Sequence, residues 1–288
     1  MIRSSDGVAL AVHDFGGAGD RVLLLVHAAG FHGRVLGPLA GGVASGFHGV
    51  APDLRGHGAS GLPPGGEVSW DAMAEDVLAV VDGLGLDRPF GFGHSAGGTA
   101  LLLAEERRPG TFAALYCYEP LIVAADPPLG RDPDNWQAAS VRRRRSEFPS
   151  RSAALAASAA RRSWARMAPE VLAAYVDFGF ADEGDGGRVT ARCQPETEAR
   201  LYESATEHHA FPHLSRVACP VVVARGDRSE AFAVSLATQM ADRLRFPSLV
   251  VVPGVGHLGP LESPGAVGAS LLATLPPVGD GAPTGGSV

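Results

Sequence analysis

Short, unbroken apolar runs alternate along this chain with segments whose apolar residues recur every three or four positions, and glycine turns separate the two. Val22–Val26 reads VLLLV and stops at His27, the pattern of a strand buried on both faces. Residues 49–51 lead into Asp53 as a second short strand. Residues 70–84 place Met73, Val77, Val80 and Leu84 on one helical face. Residues 89–93, 112–118, 220–224 and 248–252 predict further strands, and 97–107 a helix. This alternation predicts an α/β fold with a mostly parallel central sheet flanked by crossover helices.

The rhythm changes between residues 123 and 210. There, 142–145, 153–168 and 171–175 read as helical, with no strand signal among them. The sequence therefore predicts a core of residues 1–122 and 211–275, interrupted by a helical cap (a lid) at 123–210. Residues 276–288, rich in Pro and Gly, predict a disordered tail.

Composition narrows the partners. The chain has 288 residues and a net charge of −7, which argues against nucleic acid or an anionic membrane surface. All its cations are arginine. The run Arg142–Arg145 reads as a solvated helix face, because acidic residues in the cap roughly match the arginines in number. Cys117, Cys193 and Cys219 are an odd set without CxxC spacing, which suits buried thiols in a reducing compartment. No apolar run is long enough to span a bilayer, and residues 1–20 lack a signal-peptide pattern. These features predict a cytoplasmic monomer or homodimer acting on a small-molecule substrate.

The chemistry centres on Gly93-His94-Ser95-Ala96-Gly97. The Gly-x-Ser-x-Gly string is short, but here it directly follows a predicted strand and directly precedes a helix opening with small residues. Such a turn exposes the serine hydroxyl above the sheet, and flanking glycines remove Cβ atoms that would collide. A serine hydroxyl needs a base. Residues 250–257 read as a strand ending in a glycine loop that carries His257. The remaining histidines fall in other turns, beside Ser95 or near the cap boundary, so His257 is the candidate base.

Taken together, HAAG at 27–30, APDLRGHGAS at 51–60, GHSAGG at 93–98 and PGVGHLGPLESP at 253–264 resemble the lipase/esterase-like α/β-hydrolases in order and spacing. The likeness covers the sheet segments and not the cap. It departs at HAAG, where many relatives carry glycine directly after the histidine. The resemblance implies an oxyanion hole built from the backbone N–H groups of Ala29 and Ala96. It also implies a bracing role for His27, Asp53, Arg55 and His57.

The triad acid stays open at this level. Relatives commonly supply it as Gly-x-x-Asp after the strand preceding the histidine strand. Here Gly226 is followed by Asp227, one residue on, and by Glu230, four on, with Ser229 at the third place. Glu119 offers a different location, at the end of the apolar run 115–118, where a carboxylate is costly to bury unless paired. Glu119 ranks ahead of Glu230 and Asp227. Some Ser-based lactonases and Asp-based dehalogenases of the family carry the acid there.

A serine nucleophile points to acyl transfer on a carboxylic ester or lactone, with no metal and no cofactor required. Cap aromatics, namely Trp136, Trp164, Tyr175, Phe178 and Phe180, are candidates to line an apolar pocket that also accepts aromatic substrates. The strand-end glutamate, Ser229–Phe232 and the cap also resemble the lactonases that open zearalenone. A C–C bond hydrolase, a cofactor-free oxygenase and a non-catalytic receptor on the same fold are the alternatives.

Overall fold

A computed structural model describes residues 1–275. A hairpin of β1 (Ile2–Arg3) and β2 (Ala9–Leu10) precedes the main sheet. That sheet opens with β3 (Val12–Gly16), β4 (Val22–Val26), β5 (His48–Pro52), β6 (Phe90–His94) and β7 (Ala114–Tyr118). An insertion carrying β8 (Glu147–Phe148), β9 (Phe180–Glu183) and β10 (Arg188–Ala191) follows. The chain then returns to the sheet as β11 (Val221–Gly226) and β12 (Pro247–Val252). The seven strands run in the order β12-β11-β7-β6-β4-β5-β3, and β3 alone pairs antiparallel with its neighbour.

Helices α1 (Gly37–Gly42), α2 (Trp70–Gly83) and α3 (Ala96–Arg107) precede the insertion. Within it lie α4 (Trp136–Arg142), α5 (Arg151–Ala159), α6 (Pro169–Gly179) and α7 (Pro195–Glu203). After it come α8 (Ala210–His213), α9 (Val234–Ala241), α10 (Gly259–Glu262) and α11 (Pro264–Thr274). Both sheet faces are covered, and the period-two geometry of a strand divides each apolar run between two cores. Leu24, Val26, Leu115 and Val223 pack with α2, α3 and α9, whereas Leu23, Leu25, Tyr116 and Val222 pack with α1 and α11.

The insertion departs from the all-helical expectation. β8, β10 and β9 form a small three-stranded antiparallel sheet. Its strands are two to four residues long, too short to register as apolar runs. The turn that joins β9 to β10 is marked by Gly184 and Gly187, both at positive φ. Helix α4 stops at Arg142, so the arginine run is mostly non-helical. The predicted disordered tail lies outside the described residues. No helix among the described residues is long and apolar enough to cross a membrane.

Order at the carboxyl ends of the strands positions everything that follows. β4 sits between β5 and β6, so the connections leaving β4 and β6 part from each other and open a crevice at that edge.

Three buried histidines make stability depend on pH. Burial pushes His27 down to about 3, and His32 and His208 to about 4, from an ordinary 6.5. The unfolded chain takes up these protons below pH 6.5 while the folded chain does not. Their stabilising contribution is thus complete above 6.5 and is lost as the pH falls toward 4 and then 3. The urea midpoint is expected to drop steadily from about pH 7.5 to about pH 5; a constant midpoint would contradict this account.

Candidate active site

Ser95 occupies the turn between β6 and α3 with φ 51° and ψ −116°, a conformation that costs a non-glycine residue roughly 1–3 kcal/mol. Its neighbours must be glycine. A Cβ on Gly93 would lie 2.5 Å from Gly98 Cα, and one on Gly97 would lie 2.2 Å from the Val26 carbonyl oxygen. The Ser95 N–H donates to the Tyr118 carbonyl at 2.9 Å, which ties the turn to the end of β7. The N–H of Ala96 opens helix α3 and, among the described residues, donates to no protein acceptor, and the same holds for Ala29.

Glu119 follows β7 directly, also at positive φ (44°), and is 1% exposed. Three donors meet its carboxylate. The Gly226 N–H reaches Oε1 at 2.8 Å, the Ser229 hydroxyl reaches Oε2 at 2.7 Å, and His257 Nδ1 lies 2.8 Å from Oε2. The sheet register explains this meeting, because Tyr118 pairs with Ala224 and so brings the ends of β7 and β11 side by side.

The other two carboxylates lie elsewhere. Asp227 accepts from the Gly254 N–H at 2.7 Å and braces the turn after β12, and Glu230 is exposed. Ser229, three residues after Gly226, stands where the resemblance would place an acid, and it points its hydroxyl at the glutamate instead.

His257 is held through its backbone as well. His94 Nε2–H donates to the His257 carbonyl at 2.9 Å, and the Tyr118 hydroxyl donates to the Gly256 carbonyl at 2.7 Å. Burial holds His94 well below the usual histidine range, so it is a neutral donor at pH 7. Nothing in the sequence pattern singled out this backbone contact.

The loop after β4 is braced from below. His27 donates from Nδ1 to the Ala28 carbonyl at 2.8 Å and accepts the Leu54 N–H on Nε2 at 2.9 Å. His57 donates to the Arg55 carbonyl at 2.9 Å and accepts the Gly30 N–H at 3.0 Å. Asp53 accepts the Gly33 and Ala59 N–H groups at 2.7 and 2.8 Å, and Arg55 pairs with buried Asp76 through two bonds of 2.7 and 2.6 Å. The Gly30 N–H is committed to His57, whereas the Ala29 N–H remains available among the described residues.

A cavity of about 510 Å³ adjoins this loop, lined by Ala29, Gly30 and Phe31 on one side, Leu258 next to His257, and cap residues including Arg143, Arg144, Arg161, Trp164 and Glu198. Of the five cap aromatics expected there, Trp164 is among the lining residues, and Tyr202 of α7 joins it. Tyr175 and Phe180 are buried behind Trp164, in contact with each other. Trp136, at the first position of α4, is 75% exposed, and Phe178 is 45% exposed under the Arg34 guanidinium. Helix phase decides this: α6 turns Val171, Tyr175 and Val176 inward and leaves Phe178 outside. The arginines at the cavity were not among the expected pocket residues, because a run of four looks like a solvated face.

A profile described as "Alpha/beta hydrolase family" matches residues 23–269. The chain belongs to this family. Over 112 residues it is 36% identical to the "Putative carbamate hydrolase RutD" of Caulobacter segnis, a stretch covering 38% of this chain and 42% of that protein. The crystal structure of E-2-(acetamidomethylene)succinate hydrolase superimposes with a TM-score of 0.76 at 20% identity, covering 95% of this chain and 98% of that one. The enol-lactonase from Burkholderia xenovorans LB400 gives 0.70 at 18%, covering 93% and 96%. At those identities the two structures establish a shared fold.

Proposed function

We propose that this hydrolase cleaves a carboxylic ester or lactone through an acyl-enzyme on Ser95, with His257 as general base and Glu119 as the triad acid. The observation that carries the reading is the 2.8 Å contact of His257 Nδ1 with a buried carboxylate, set at the same sheet edge as the strained Ser95 turn. Held by Glu119 in the Nδ1–H tautomer, His257 presents Nε2 to take the Ser95 proton as Oγ attacks the carbonyl. Glu119 then stabilises the imidazolium. The N–H groups of Ala29 and Ala96 receive the oxyanion, and the amino-terminal end of α3 favours the negative charge. His257 gives its proton to the leaving oxygen, and water repeats the cycle on the acyl-enzyme.

Because Arg143, Arg144 and Arg161 share the cavity lining with Trp164 and Tyr202, we carry forward a small, polar ester or lactone rather than a large apolar macrolactone of the zearalenone type. A fluorophosphonate probe is expected to add once, raising the intact mass, with the adduct mapping to Ser95. A panel of p-nitrophenyl esters, lactones and an aryl carbamate then ranks the acyl chemistry. Ester turnover that persists in the absence of any Ser95 adduct would overturn the reading.

Ser229 positions the acid in this scheme. Losing its hydrogen bond frees the Glu119 carboxylate to turn away from His257. Ser229→Ala is expected to lower kcat by about tenfold with little change in KM, and Ser229→Thr to restore much of the loss. An unchanged kcat would leave Ser229 a purely structural residue.

A further inference from the structure

The four-arginine run divides between two environments. Arg142 pairs with Glu196 and Glu203 on α7. Arg145 donates to the Glu147 carbonyl at 2.6 Å and lies over Phe148. Arg143 and Arg144 between them line the cavity beside Ala29, and Arg161 joins them from the turn after α5.

Only one of these three has a carboxylate partner: Arg144 pairs with buried Glu198, whose carboxyl group packs against Gly30. Among the described residues, neither Arg143 nor Arg161 has a carboxylate within ion-pair distance. The lining thus holds three arginines against one glutamate.

Arg161 is also pre-set for a planar anion. Its guanidinium lies 4.2 Å from the centre of the Trp164 ring, and that ring packs against Phe31 at 5.4 Å and Tyr175 at 4.8 Å between centroids. A guanidinium stacked on a fixed aromatic plane presents its in-plane N–H groups sideways, and although one of them bonds the Tyr175 side chain, the five-donor fork has others to offer a ligand. Burial weakens its hold on the proton, as expected of a cation short of counter-charge.

We infer that Arg161, with Arg143 in the same lining, forms a subsite for a carboxylate on the substrate, so that the preferred ester or lactone is that of a small acid retaining a second, free carboxylate. The inference deepens the serine-hydrolase reading and rests on it for which bond is cleaved. The cavity adjoins the proposed reaction centre, since its lining includes Ala29 and Leu258, the residue after His257.

Two measurements separate this subsite from the catalytic reading. In calorimetric titration, succinate is expected to bind both the full-length protein and its Ser95→Ala variant. Arg161→Gln should weaken binding at least tenfold, and Arg161→Lys should retain part of it. In kinetics, the half-ester p-nitrophenyl glutarate is expected to exceed p-nitrophenyl pentanoate in kcat/KM by at least tenfold, mainly through KM. That ratio should collapse in Arg161→Gln and shrink with added salt.

No succinate binding, or an anionic-to-neutral ratio that Arg161→Gln leaves intact, overturns the subsite even if Ser95-dependent ester turnover stands. Succinate binding that depends on Arg161 without turnover of any ester supports the subsite and removes the hydrolase assignment instead.

Discussion

Ser95→Ala is expected to lower kcat on p-nitrophenyl esters by about 10⁴-fold or more, while the unfolding free energy shifts by no more than about 1 kcal/mol. The kinetic loss follows from the absence of any other route to the acyl-enzyme in the proposed scheme. What remains is the weak catalysis that oxyanion donors and binding give to direct attack by water. The small effect on stability follows from the geometry of the turn. Alanine at 95 keeps the same positive φ and the same N–H bond to Tyr118, so the substitution neither relieves the strain nor opens a large cavity. Turnover and urea denaturation of wild type and variant, measured side by side, check both halves. A variant that kept a tenth or more of wild-type turnover would mean the esters are cleaved elsewhere.

Glu119→Gln is expected to cost about 10³- to 10⁴-fold in kcat, whereas Glu230→Gln retains most activity. Glutamine preserves the shape of the side chain but replaces one acceptor oxygen by an NH₂ group. Three donors converge on the two oxygens of Glu119, from Gly226, Ser229 and His257. An amide cannot accept all three, and the ring nitrogen is the donor that can adapt, by moving its proton to Nε2 and accepting from the NH₂ group. His257 would then meet Ser95 with a donor rather than an acceptor, and the base would be lost. Glu230 is exposed and makes none of these contacts. A ranking with Glu230→Gln as the crippled variant would remove Glu119 from the triad.

A relocation experiment sharpens the assignment. The Ser229 hydroxyl stands 2.7 Å from Glu119 Oε2, so a carboxylate placed at 229 reaches the same neighbourhood. Glu119→Ala combined with Ser229→Asp is expected to recover at least tenfold over Glu119→Ala alone. No recovery would show that the position after β7, and not the charge alone, is required.

The unbroken run VLLLV, the helical spacing in α2 and the glycine-flanked Ser95 were legible because each expresses a local rule: burial on both faces, helical periodicity, and room for a sharp turn. His257 was legible for a related reason, since it ends a strand in a glycine loop. The two-residue strand Glu147–Phe148 was not, because so short a strand has no periodicity of its own and exists only through its pairing with β10.

Which carboxylate meets His257, and which residues line the cavity, depends on neighbours far apart in sequence. Glu119, Glu230 and Asp227 are equivalent as carboxylates, and nothing local to them says which one faces His257, 138 residues from Glu119. The pairing of Tyr118 with Ala224 decides it, by setting the ends of β7 and β11 side by side. Likewise Arg142–Arg145 are four identical charges in sequence. Glutamates on α7 claim Arg142 and Arg144, the carbonyl of Glu147 claims Arg145, and Arg143 is left facing the cavity with Arg161. The sequence by itself determined the layered sheet, the strained serine turn and the histidine loop, because local sterics and burial suffice for these. Tertiary structure alone decided which acid meets the histidine and which arginines of the run meet a carboxylate among the described residues, because a charge is assigned by its nearest opposite in space.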